Sequence, residues 1–150
     1  MKQQGEIYYH PEFEFKNGGK CKKLIILLNT PSKNEPCLFV KTTSQEKNKP
    51  LKPGCNKSES LFFIPSRSSV FPLNTWVELY EIYEMPLDDV IKNQAIEYKD
   101  KLDGKTIEKI IECLFIAEDE NIISFHRKLT RPALQNGLIK LKEKWDSLSG

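Results

Sequence analysis

The chain has 150 residues, 39% hydrophobic and 29% charged, which suits one compact domain with an ordinary core and is a globular composition, not a disordered one. Lysine and arginine outnumber aspartate and glutamate by only 23 to 21, so net charge alone does not single out nucleic acid as a partner. The longest apolar run, Leu24–Leu28, is far too short to span a membrane, and no charged-then-apolar leader opens the chain, so a cytoplasmic protein is expected.

Gly5 to Phe15 is rich in aromatic residues and carries apolar side chains at Ile7, Tyr9, Phe13 and Phe15 but is broken by Pro11, which predicts a strand leading into a loop. Lys16 to Lys20 holds two adjacent glycines, a hairpin-turn signal. The next strand, Lys22 to Asn29, has an unbroken apolar run and should be buried on both faces. A loop over Thr30–Pro36 leads to a third strand, Cys37–Thr43. Ser44 to Ser60 is polar, lysine-rich and broken by Pro50, Pro53 and Gly54, and reads as a long exposed loop. Ser60–Ser66 and Thr75–Glu84 supply two further strands.

After Pro86 the period changes. Leu87, Val90, Ile91, Ala95, Ile96 and Leu102 recur at helical spacing up to Gly104, and a second helix is expected to start at Thr106 as N-cap, with Ile107, Ile110, Ile111, Leu114 and Phe115 on one face. A last amphipathic helix is expected around Leu134, Leu138, Leu141 and Trp145. Strands first and helices last predict an α+β fold, an antiparallel sheet or partly open barrel of about five strands with helices packed on it. Residues 1–150 form a single domain, with a C-terminal helical extension from about residue 119.

The segment from Lys16 to Lys57 holds ten lysines against only Glu35 and Glu46, so the basic surface is N-terminal. Cys21, Cys37, Cys55 and Cys113 form no C-x-x-C pair and lie far from His10 and His126 in sequence, so free thiols are expected, Cys55 the most accessible, and no metal site. No P-loop, dinucleotide fingerprint, nucleophile elbow or H-E-x-x-H motif occurs, and no cofactor is expected. What remains is a constellation: a glycine turn with Lys20, Lys22 and Lys23, and a strand ending in Thr42-Thr43-Ser44-Gln45. Antiparallel neighbours bring the start of one strand beside the end of the next. Ammonium and hydroxyl groups there suit a phosphodiester; a solvated strand edge with local hydrogen bonds accounts for the same residues. His10 is a second proton-transfer candidate by its ordinary pKa, or an incidental turn histidine.

The order of "GEIYY", "NGGKCKKLIILLN", "FVKTTSQ", "SLFFIP", "TWVELYEI" and "LDGKTIEKIIECL", over roughly Gly5 to Leu114, resembles the MazF/PemK toxin ribonucleases of toxin-antitoxin systems. The resemblance implies a small SH3-like β-barrel followed by C-terminal helices, a homodimer, a protein antitoxin as partner, and metal-independent cleavage of single-stranded RNA. The family's strand-opening arginine falls on Lys22, with Lys20 and Lys23 as rival positions, and its strand-ending hydroxyl falls on Thr43. So aligned, Lys22 and Thr43 are the catalytic pair for attack of a ribose 2′-hydroxyl on phosphorus, and Lys20, Lys23, Lys41, Ser44, Gln45 and Lys47 bind RNA. Thr43 is then expected to face Lys22 across neighbouring strands. The lysine in place of arginine leaves open a non-catalytic module that binds nucleic acid or protein on the same barrel.

Overall fold

A computed structural model describes residues 2–68, 70–117 and 124–130 of the chain. The aromatic N-terminal segment forms strand β1, Glu6–Glu14, and a hairpin leads it into β2, Lys20–Leu27. Phe15 closes that turn, its N–H donating to the Gly19 carbonyl at 2.7 Å, and Gly18 takes φ +89°, a conformation only glycine adopts without strain. Then come β3 (Cys37–Thr43), β4 (Gly54–Asn56), β5 (Leu61–Ile64) and β6 (Thr75–Met85). Helix α1 (Leu87–Lys92), strand β7 (Glu97–Lys101) and helices α2 (Gly104–Ala117) and α3 (Ser124–Thr130) complete the described elements.

The strands make one antiparallel sheet in the order β4-β5-β6-β3-β2-β1-β7, so the fold is α+β. Among the described residues the order has two ends, β4 and β7, that do not pair with each other. Ladder hydrogen bonds therefore do not close the sheet, and it holds seven strands where about five were expected.

The central strands are covered on both sides, which explains the unbroken apolar run of β2. Ile26, Leu28, Leu38, Val40, Val77 and Leu79 pack with Ile107, Ile110, Ile111 and Leu114 of α2. The alternate residues Ile25, Leu27, Cys37 and Phe39 pack on the opposite face with Tyr8, Phe13, Tyr83 and Val90. A smaller cluster, Leu61, Phe63 and Trp76, fills the β5–β6 end, where the Phe63 and Trp76 rings stack with centres 4.8 Å apart.

Several expectations are corrected. The helical pattern from Leu87 to Gly104 ends after Lys92; Asn93 opens a turn, its side-chain oxygen accepting the Ala95 N–H at 3.0 Å, and the chain re-enters the sheet as β7. All five residues of β7 are exposed, and it is held by backbone pairing to β1 and by Tyr98 meeting the Tyr8 ring edge-on at 5.9 Å. Asp103, not Thr106, caps α2: its Oδ1 accepts the Thr106 N–H at 2.7 Å, and those hydrogen bonds hold its carboxyl below the ordinary range. The long loop after Thr43 contains β4 and a single 3₁₀ turn, Lys57–Glu59. Helix α3 falls within the expected C-terminal helical extension, and its His126 pairs with Glu84. The helix expected around Leu134 to Trp145 lies outside the described residues.

Cys55 of β4 and Cys113 of α2 form a disulfide, their Cα atoms 5.4 Å apart, which overturns the expectation of free thiols at both; Cys21 and Cys37 remain free. Burial pushes the Cys37 thiol up to about 11. The bridge spans 58 residues of sequence. Closing a loop of that length in the unfolded chain stabilises a fold by about 4 kcal/mol. Urea unfolding with and without reductant should show a loss of that order, and a Cys55→Ala/Cys113→Ala chain should show none on adding reductant.

Candidate nucleic-acid interface

Because β2 starts where β3 ends, the polar residues at those two strand termini gather at one place. An open groove of about 380 Å³ lies there, lined by Lys22, Lys23 and Leu24 of β2, Thr42 to Gln45, Tyr9 of β1, and Phe71, Pro72, Leu73 and Thr75 before and at the start of β6. The corner is tied by short hydrogen bonds. Thr42 Oγ1 donates to the Leu24 carbonyl at 2.7 Å, and Thr43 Oγ1 accepts the Gln45 N–H at 3.2 Å.

Register decides which side chains share a face. The β2–β3 ladder pairs Leu27 with Phe39, Ile26 with Val40 and Ile25 with Lys41. Continued past its last pair, it sets Leu24 opposite Thr42 and Lys23 opposite Thr43. Since neighbouring residues along a strand point to opposite faces, Lys22 falls on the α2 side with Leu24 and Ile26, and Thr43 falls on the other side with Lys41. By this extrapolation Thr43 shares its face with Lys23, where the sequence led us to expect Lys22. Both lysines border the groove all the same.

On that second face Lys23 also stands opposite His10 of β1. Three adjacent strands thus present His10, Lys23 and Thr43 in one row, about 5 Å from strand to strand. His10 Nδ1 accepts the Glu12 N–H at 3.2 Å, and partial burial lowers its pKa, with Glu12 opposing the shift. Burial therefore favours the neutral imidazole, and with Nδ1 engaged by the Glu12 N–H the ring hydrogen of that form sits on Nε2. A lowered folded pKa means that the unfolded chain binds the extra proton first on acidification. The stability His10 contributes is therefore complete above its ordinary value of 6.5 and is lost as pH falls through the lower folded value. Unfolding curves at about pH 7.5 and about pH 5 should lie closer together for His10→Asn than for the native chain.

The remaining sequence candidates are dispersed. Lys20 is exposed opposite Glu14 and Lys47 is exposed in the loop after β3, neither lining the groove. Lys41 is no surface cation: it is 7% exposed, and its Nζ donates to Glu78 Oε2 at 3.0 Å and to Tyr80 Oη at 2.9 Å. That cluster was not foreseen, since its members sit 37 and 39 residues apart and only β3–β6 pairing brings them together. Tyr9 and Phe71 were likewise not foreseen as groove residues. Among the described residues no group of His, Cys, Asp and Glu side chains is placed to hold a metal ion, and no helix is long and apolar enough to cross a membrane. Compared with protein-family models and with curated proteins, the chain matches none.

Proposed function

We propose that the chain binds single-stranded RNA in the groove between β2 and β3 and cleaves it without metal, as a toxin-type endoribonuclease of the MazF/PemK kind. The observation that carries this is the convergence of Lys22, Lys23, Thr43, Ser44 and Gln45 on one groove from two separate stretches of sequence. Ammonium groups and hydroxyls hold phosphates, and Tyr9 offers a ring for a base. In the reaction, the ribose 2′-oxygen loses its proton to a base and bonds to the adjacent phosphorus. The 5′-oxygen leaves with a proton, so the products end in a 2′,3′-cyclic phosphate and a 5′-hydroxyl. In this proposal Lys23 offsets charge on the phosphorane and Thr43 donates to a non-bridging oxygen, both from the lining of the groove. Lys22 binds a neighbouring phosphate from the groove side. The SH3-like barrel, homodimer, cytoplasmic location and covering antitoxin belong to the same proposal and rest on the sequence resemblance.

A second reading keeps the groove and drops the chemistry. What favours it is the opposite facing of Lys22 and Thr43, which separates the two positions that the resemblance makes catalytic. One experiment distinguishes them: purified chain incubated in EDTA with end-labelled single-stranded RNA. Fragments bearing cyclic phosphate support the enzyme. Salt-sensitive binding without turnover supports the binding module, and neither binding nor cleavage of any RNA sinks both.

A further inference from the structure

A second cavity of about 350 Å³ opens on the sheet face opposite α2, and Lys23 borders both it and the groove. Its floor is the Lys41–Glu78 ion pair, at 7% and 8% exposure, with Tyr80 bonded to both partners. Tyr80 is thus fixed at its hydroxyl end, yet the residue remains 45% exposed. Lys41 Nζ lies over the ring, 4.4 Å from its centre, and a ring anchored by its polar atom yet still partly exposed is a stacking surface whose ordering cost is already met by the fold. Phe15 lies beside it, its ring centre 5.8 Å from Lys41 Nζ. Lys41 is neutralised by Glu78, which leaves Lys16 and Lys23 on the walls with no carboxylate partner among the described residues.

We infer that this cavity holds one unpaired nucleotide of the RNA strand that occupies the groove, its base stacked on Tyr80 and its phosphate set between Lys16 and Lys23. The inference rests on the RNA-binding proposal and extends it to a second face. Lys23 is the crossing point, so the strand bends over β2 and its sugar-phosphate backbone passes the His10–Lys23–Thr43 row. A nucleotide fits this cavity better than an acidic peptide does, because the Tyr80 and Phe15 rings that line it can stack on a base and offer a carboxylate nothing. Stacking discriminates weakly among bases, so this position tolerates sequence variation but requires a base.

The test uses the full chain and 2′-O-methyl oligonucleotides, which bind but cannot be cut, with one base deleted at each position in turn. Fluorescence anisotropy of the native chain should show one position, outside the groove contacts, where base deletion weakens binding by about 5- to 150-fold. Tyr80→Ala should lower affinity for the intact oligonucleotide by a similar factor and make that position insensitive. Tyr80→Phe, which keeps the ring but loses the hydroxyl anchor, should retain the position-specific effect, with thermal melting of both variants confirming the fold. A Tyr80→Ala chain that binds like the native one, with groove variants still impaired, overturns this inference alone. Competition by polyglutamate as effective as RNA identifies a bare cation site and also overturns it. Absence of binding to any oligonucleotide removes the RNA proposal and this inference together.

Discussion

Lys23→Ala and Thr43→Ala are each expected to slow RNA cleavage at least about 100-fold at saturating RNA, the usual cost of removing a group that acts only on the transition state. Lys22→Ala should instead raise the RNA concentration needed for half-maximal rate and leave the saturated rate within about threefold, because its side chain meets the strand from the groove side only. The contrast follows from a single-residue step in β2, since the register continued past Ile25–Lys41 sets Lys23 opposite Thr43 and alternation turns Lys22 to the other face. Single-turnover cleavage of a labelled oligonucleotide by the three variants measures it. If Lys22→Ala alone abolishes the chemical step, the assignment by alternation is wrong and the position inherited from the family resemblance stands.

Glu78→Ala should be the most damaging single substitution among the charged residues. Lys41 would remain buried under the Tyr80 and Phe15 rings with its carboxylate gone, and an uncompensated buried charge costs about 3 to 5 kcal/mol. Replacing both partners, Lys41→Met with Glu78→Leu, should recover much of that loss because desolvation of the charges disappears with them. Urea unfolding of the two single variants and the double gives the coupling directly. A double variant less stable than Glu78→Ala would show that the pair contributes more than it costs to bury.

The parts of this fold legible in the sequence are those written in local chemistry. The run Leu24–Leu28 announces a strand covered on both faces, and the glycines at 18 and 19 announce the hairpin before it. The apolar face of α2 at Ile107, Ile110, Ile111 and Leu114 is visible from spacing alone. β7 was not legible because its sequence, Glu97-Tyr98-Lys99-Asp100-Lys101, has no apolar alternation; only the β1 backbone makes it a strand. The disulfide was not legible because its cysteines carry no spacing signal across 58 residues. The basic corner was found, but its facing was not. Which of Lys22 and Lys23 meets Thr43 depends on a register fixed by Ile25 opposite Lys41, and a slip of one residue reverses the answer. On β1 the bulge between His10 and Phe13 shifts the pairing again, so alternation counted along the sequence alone fails beyond it.

The fully exposed strand β7 alternates acid and base along the sheet's outer margin, and the opposite margin, β4, is only three residues long. Unsatisfied amides along a sheet edge invite another chain to add a strand, and solvated charges or a very short edge discourage it. Neither margin therefore offers a template for fibre-like growth. Strand addition by a second copy of the chain is thus disfavoured at both margins, and high protein concentration should not yield open-ended assemblies.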